Sequence, residues 1–546
     1  MRVERLCGAI AGAWGVCAAV YYWRAGLTLA HYDARAHLVV ARRVFDSLTP
    51  GWQQVGAVWL PLPHVLNALP VQIDAFYRTG ASAIAISILS MALAAWAIAR
   101  LIRRTTGSIA GGIVATALLM LNPGVLYLQS TPMTEPLLFG TTFLAVALIA
   151  EWATALSVPN LHLPIPNQLP TRNSQNLQVK NTKGTTTPRP SSALPPPSSA
   201  PFSASTRAAG WASIAAVLTR YEAWPIVAAA IGLAFVVLLR RGLGFGPALR
   251  AVRGLALWPL WAIAAFLVNS KVTVGSWFVS SGFFVADNPA MGQPWLAWTQ
   301  IWDGLLDLTG PALPWAAVVS ALLLVAAAFS GKRRVPPEGE VPPNGGNHGA
   351  ALVIVLALTA CAVLPWLAYM KGHPVRIRYA VPLVAAAAAL TGAGIALLPR
   401  RVRPIAGAAI VAAAAWQAPP FQANAPVVVE AQREAQLQQG RRAVTAYLRE
   451  HWDGQPIMMS MGSLAHYMHD LSLEGFRIGD FLHEGNGEIW IHAVRRPAPF
   501  AEWIAIEGYA EGGDALHWQA IHDEHFLKGF VRVAQGGNVS LYRRER

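Results

Sequence analysis

Long apolar runs separated by short polar stretches fill most of this chain. Runs at 7–29, 81–101, 108–127, 136–155, 222–239, 254–270, 311–330, 350–370 and 379–398 are apolar enough to cross a bilayer as helices, and two weaker ones lie at 208–219 and 404–418. From about residue 420 the pattern changes. A polar helix with Glu430, Arg433 and Glu434 precedes short strand-like runs at Ile457-Met458-Met459-Ser460, Trp503-Ile504-Ala505-Ile506 and Phe530-Val531-Arg532-Val533. The expectation is an all-α polytopic membrane protein of about eleven transmembrane helices over 1–419, with a small C-terminal α/β domain over 420–546.

Composition agrees with the pattern: 54% hydrophobic residues, 13% charged residues and a mean hydropathy of +0.39 are too apolar for a soluble chain of this length. The first run contains Arg24 and lacks a small-residue cleavage site, so it reads as a retained helix rather than a signal peptide. Basic residues mark every second boundary: Arg2 and Arg5; Arg100, Arg103 and Arg104; Arg240 and Arg241; Lys332 to Arg334; and Arg400, Arg401 and Arg403. Short cytoplasmic loops collect such residues. That rule predicts a cytoplasmic N-terminus in the inner (plasma) membrane, and an extracytoplasmic C-terminal domain. Much of the net charge of +14 then serves topology and contact with anionic membrane lipids, and no nucleic-acid partner is expected. Cys7, Cys17 and Cys361 fall within apolar runs, which excludes an external disulfide framework.

The stretch at 158–207, rich in Pro, Ser, Thr and Asn, reads as a disordered cytoplasmic linker, and Val335 to Asn347 as a short inner loop. In the C-terminal region His466, His469, Asp470, His483 and Glu484 match no ligand spacing and read as surface residues, so no metal site is assigned.

Candidate chemistry gathers on the outer face. The loop at 31–80 is longer than a helix connection needs, and in it Asp33 and His37 share one helix face, followed by Arg42, Arg43 and an aromatic, proline-punctuated stretch around Trp59. Trp59 reads either as an interfacial anchor or as a substrate contact, and Asp33 either as a helix cap or as a functional acid. Glu135, in Thr131-Pro132-Met133-Thr134-Glu135-Pro136, sits at an apolar boundary where an ionised group needs a partner; it also suits the first turn of the next helix. Two further outer patches are Thr219-Arg220-Tyr221-Glu222 and the run from Lys371 through His373, Arg376 and Arg378 to Tyr379. Cations there oppose the topological bias, and recognition of a phosphate accounts for them, with headgroup anchoring as the alternative.

Tyr32-Asp33 after the first helix, Met133-Thr134-Glu135-Pro136 before the fourth, Leu218-Thr219-Arg220-Tyr221-Glu222, and Arg378-Tyr379-Ala380 followed by a proline resemble the GT-C glycosyltransferases. The closest resemblance is to family 39, the protein O-mannosyltransferase and aminoarabinose transferase type, over roughly residues 7–420. It implies transfer of a sugar from a polyprenyl-phosphate donor to a lipid, glycan or protein acceptor on the outer face, with inversion, and maps the family's first-loop aspartate onto Asp33. Many members carry a second acid next to it, where this chain has Ala34; Glu135 or His37 is left for that role, and a divalent cation stays open.

Such a transfer needs a base for the acceptor and positive charge for the departing phosphate. Asp33 is the expected base and Glu135 the orienting acid. His37, Trp59, Arg220, Glu222, Lys371, His373, Arg376, Arg378 and Tyr379 are the expected substrate contacts. The alternatives are a transporter or flippase of lipid-linked sugars, disfavoured because midspan positions are apolar apart from Arg24 and no internal repeat is apparent, and a non-enzymatic scaffold that binds through its outer domain.

Overall fold

The computed structural model describes residues 3–156, 204–279, 288–329, 348–510 and 513–545. The expected inner loop at Val335 to Asn347 and most of the expected linker lie outside the described residues. The linker's last residues are a correction: helix Ala204–Val217 already includes them, and Trp152 Nε1 donates to Thr206 Oγ1 at 3.1 Å, tying the helix to the preceding span.

All eleven expected apolar segments are helical. Eight described helices are long and apolar enough to cross a membrane: Val3–Arg24, Ala81–Thr106, Glu135–Ala155, Ala223–Arg240, Phe245–Val274, Ala312–Phe329, Ala351–Met370 and Ile377–Leu397. The pair Ile109–Leu121 and Pro123–Gln129 is apolar enough only when taken together and is bent by 74° at its break, the form of a broken span or of a re-entrant loop. Pro123 removes the amide that would continue the helix, and Asn122 caps the second piece by accepting from the Val125 amide at 3.1 Å. The two weaker segments are helices Ala204–Val217 and Arg403–Gln417, of 14 and 15 residues. At 1.5 Å per residue they fall short of a hydrocarbon core about 30 Å thick.

Burial sorts the spans. Glu135–Ala155 is 78% buried and Ile377–Leu397 is 89% buried, against 28% for Phe245–Val274 and for Ala312–Phe329. The two central helices approach their neighbours through small residues: a Cβ on Gly392 would stand 2.5 Å from the Gly111 carbonyl oxygen, and one on Gly140 would stand 2.7 Å from that of Ser90. Both carry candidate residues at their N-terminal ends, Glu135 on one and Arg378 on the other. The most enclosed part of the bundle thus leads to the expected site.

The C-terminal region forms a five-stranded sheet of β1 (Ile457–Met459), β2 (Phe481–Leu482), β3 (Trp503–Glu507), β4 (Phe530–Gly536) and β5 (Val539–Arg544), in the order β2-β1-β3-β5-β4. β1 pairs with β2 and β3 in parallel, and β5 pairs with β3 and β4 antiparallel. β3 is buried throughout, as a strand covered on both faces must be. Its residues alternate between two cores: Trp503 and Ala505 face one, Ile504 and Ile506 the other. The first core is shared with the loop after the first span, through Ala36, Leu38, Val39, Ala41, Val71 and Tyr77. Helix Pro426–Gly440 reaches the other way, placing Val427, Val428 and Ala431 in the core of the bundle. The C-terminal region is therefore stitched to the rest of the chain twice, through the first loop and through the core of the bundle.

Candidate functional site

Helix Tyr32–Arg42 opens the site. Its N-cap is His31, whose Nδ1 accepts from the Asp33 amide at 3.1 Å, so the capping role considered for Asp33 belongs to His31. The Asp33 carboxylate is free to turn away and makes a close ion pair with Arg378 Nη1. Both side chains are nearly enclosed, at 12% and 8% exposure. Burial opposes the Asp33 charge, but Arg378, His31 and His37 outweigh it and leave the carboxyl at about 2.

Tyr32 is the hub of the cluster. Its hydroxyl accepts from Arg378 Nη2 at 3.3 Å, and the guanidinium carbons of Arg376 and Arg378 each lie 5.6 Å from its ring centre. His31 stacks on the same ring at 4.7 Å, and His466 meets it edge-on at 6.2 Å. Tyr379 packs against Arg378 at 5.5 Å and against His373 at 5.5 Å. His373 donates from Nδ1 to the Pro374 carbonyl, 2.8 Å away, and Lys371 is exposed, so these two flank the cluster rather than enter it.

A second group lies at the start of helix Glu135–Ala155, where the sequence placed Glu135 in a first turn next to a proline. The Glu135 carboxylate is fully enclosed, with Arg220 Nη1 at 3.1 Å. Arg220 also pairs with Glu222 at 2.7 Å and donates to Thr134 Oγ1 at 2.9 Å. Burial acts against the Arg220 charge, but Glu135 and Glu222 hold it more strongly basic than usual.

His37 stands between the two groups, where it feels Asp33 on one side and Arg220 and Arg378 on the others. Its Nδ1 shares a proton with His64 Nε2 at 3.0 Å, and the Trp59 ring lies 4.2 Å from its own. Burial, and then His64, hold the His37 imidazole well below its usual range; burial and Arg43 hold His64 at about 3. Trp59 lines this histidine pair rather than simply anchoring at the interface. Beyond it is a cavity of about 20 Å³, lined by His37, His64, Asn67, Ser87 and Thr134, large enough for a water molecule.

Sequence reasoning missed several members of this assembly. Glu430 Oε1 lies 3.8 Å from His31 Nε2 and 3.8 Å from Arg376 Nη1. Arg35 pairs with Asp470 through Nη1 at 2.6 and 2.8 Å. The expectation that the C-terminal histidines lie on the surface is overturned: His466, His469 and His483 are 5%, 1% and 0% exposed. They pack beneath the first loop, where His469 donates from Nε2 to the Tyr77 carbonyl at 3.0 Å. The one available signal, for His466 and His469, was their recurrence with Leu464, Tyr467 and Leu471 along a single amphipathic helix, Met461–Ser472.

Among the described residues no group of three or more His, Cys, Asp or Glu side chains is arranged to hold a metal ion. Around Asp33 the neighbours are a guanidinium and two imidazoles, with Ala34 in place of a second acid. That donor set suits an anion better than a divalent cation.

A bundle of apolar helices whose charged residues converge at one end, capped by a small α/β region, has the architecture of the GT-C membrane glycosyltransferases. Structural comparison shows that fold. ArnT from Cupriavidus metallidurans, in a crystal structure bound to undecaprenyl phosphate, superposes with a TM-score of 0.54 at 12% identity, over 97% of each chain. The apo oligosaccharyltransferase of Archaeoglobus fulgidus gives a TM-score of 0.48 at 12% identity, over 94% of this chain and 72% of its own. No family model matches the sequence, and no curated protein matches it.

Proposed function

We propose that the protein is a glycosyltransferase that moves a hexosyl or pentosyl unit from a polyprenyl-phosphate donor to an acceptor at the outer face of the plasma membrane. The observation that carries this reading is the enclosed contact of Asp33 with Arg378, beside Arg376 and Tyr32, in a fold shared with a protein that binds undecaprenyl phosphate.

The geometry supports a sequence of exchanges. A lipid phosphate entering beside Tyr32 competes with Asp33 for Arg378, since guanidinium forks match phosphate oxygens as well as carboxylates. Released from Arg378, the Asp33 carboxyl rises from about 2 towards the ordinary carboxylate range and becomes a better proton acceptor. The acceptor's O–H or N–H proton then passes to Asp33 as its heteroatom bonds to the anomeric carbon. The bond from that carbon to the phosphate oxygen breaks, its electron pair leaves with the phosphate, and Arg376 and Arg378 stabilise the charge. A single displacement inverts the centre. Glu135 acts one step away, holding Arg220 beside His37 and the cavity. The apolar surface of the bundle accommodates the prenyl chain, which keeps the donor at the interface and removes much of the entropic barrier.

The test is transfer by purified protein in lipid, from labelled polyprenyl-phosphate sugars to candidate acceptors. Asp33→Asn should lower the rate by about 10²–10⁴ while donor binding persists. Equal rates in the variant and the wild type would remove Asp33 from the chemistry, and labelled carrier crossing the bilayer with its sugar intact would favour a flippase.

A further inference from the structure

Two histidines of the first loop form a hydrogen-bonded chain that begins at a backbone carbonyl. His64 Nδ1 lies 3.3 Å from the Leu60 carbonyl oxygen, which can only accept, so that nitrogen carries a proton and donates it. His64 Nε2 in turn lies 3.0 Å from His37 Nδ1. The uncharged pair has one arrangement: the proton between the rings belongs to His37 Nδ1, and His37 Nε2, on the edge turned away from His64, is left bare. Burial opposes a charge on either ring. Among the described residues His37 Nε2 has no hydrogen-bond partner, although the residue is only 7% exposed. Trp59 limits the swing of both rings, with its own centre 4.2 Å from that of His37 and 5.7 Å from that of His64. His64, at 1% exposure, is closed to a substrate, so whatever it does to one it does through His37.

We propose that His37 accepts a hydrogen bond from a hydroxyl of the donor's glycosyl unit and thereby selects the sugar, with His64 as the positioning residue that presents it. The inference rests on the glycosyltransferase reading above and adds to it the contact that discriminates among donors. His37 stands one turn beyond Asp33 on the same face of helix Tyr32–Arg42, about 6 Å along the axis. With the phosphate beside Tyr32 at the start of that helix and the anomeric carbon at Asp33, the rest of the sugar ring extends towards His37. The cavity that the pair lines, of about 20 Å³, holds water but no sugar, so the sugar must lie on the side of Asp33. A bare, enclosed ring nitrogen favours a substrate that brings an O–H, and penalises one with a hydrogen in its place because the nitrogen is then left unpaired.

The experiment uses the purified full chain in nanodiscs and compares kcat/KM for polyprenyl-phosphate hexoses and pentoses with that for monodeoxy analogues of whichever sugar is transferred, one ring position at a time. The wild type should lose about tenfold to a hundredfold more with one analogue than with the others, the scale of a buried acceptor left unpaired. His64→Ala should slow transfer of the parent sugar and leave that analogue nearly as it was, so that the preference falls towards unity. A merely structural loss lowers both alike. His64→Gln, whose amide oxygen can take the His37 N–H, should restore part of the preference. If neither variant folds, His37→Phe keeps an aromatic ring beside Trp59 without the nitrogen and should abolish the preference. A wild type that transfers the parent and every analogue alike, or a preference that survives in whichever variant folds, overturns the inference alone. A wild type that transfers no sugar overturns the glycosyltransferase reading and the inference with it.

Discussion

The two ends of the helix bundle use the same ion pairs for different ends. At the end predicted to be cytoplasmic, Arg100 grips Glu151 through two hydrogen bonds at 2.6 and 2.7 Å, Arg104 approaches the same acid at 3.5 Å, and Arg103 reaches Glu4 at 2.8 Å. Those arginines keep 19%, 43% and 34% of their surface exposed. At the other end Arg378 and Arg220 keep 8% and 18%, and the acids they face, Asp33, Glu135 and Glu222, keep 12%, 0% and 6%. At the first end Arg103, Arg104 and Glu151 keep contact with water, and only Glu4, at 2%, is enclosed. At the second, each charge depends on its protein partner, which is the condition under which a substrate's charge can displace one partner and be felt by the rest.

The contrast is most exposed to test at Arg220. Arg220→Gln leaves Glu135 and Glu222 as neighbouring enclosed carboxylates, and should lower stability by about 3–5 kcal/mol, read by thermal or denaturant unfolding in lipid. A loss of a few tenths would make the two ends equivalent. Acid titration gives a middle-sized effect. Asp33 sits near 2 against an ordinary 3.8, so its stabilisation is complete above about pH 4 and is lost as the pH falls through 2. The difference amounts to about 2 kcal/mol. Asp33→Asn should remove that part of the acid unfolding curve, and a curve of unchanged shape would mean that Arg378 does not hold the carboxylate in solution. The smallest effect belongs to the inner end, where Arg100→Ala should cost less than about 1 kcal/mol in the same unfolding assay, because partly exposed pairs are screened. A larger cost there would erase the distinction.

Local information was readable residue by residue. Thr134-Glu135-Pro136 announced a helix start and is one; Asn122-Pro123 marks the break between two helices; the three strand-like runs after residue 450 are β1, β3 and β4. The patches containing Asp33, Arg220 and Arg378, predicted to face outward, stood out because hydropathy and the positive-inside bias gave their acids and cations no reason to be there. His31, Glu430 and His466 gave no such signal. A histidine before a helix, a glutamate on a polar helix and a histidine in a short amphipathic helix each look ordinary in sequence. They acquire meaning through contacts between distant parts of the chain, that of His31 with Glu430 at 3.8 Å and that of the His466 ring with Tyr32 at 6.2 Å.

Hydropathy and charge along the chain were enough to determine that this is a polytopic membrane protein, where its basic boundaries fall, and which charged residues stand out at the other boundaries, because each follows from the transfer of single segments between water and lipid. Which acid faces which arginine was decided only by the tertiary structure. Small residues let the two central helices approach their neighbours closely, and the packing of helix Pro426–Gly440 into the core of the bundle brings a glutamate from residue 430 to within 3.8 Å of His31. Pair energies between enclosed charges depend on separations of a few ångströms, and separations of that kind exist only once the chain is folded.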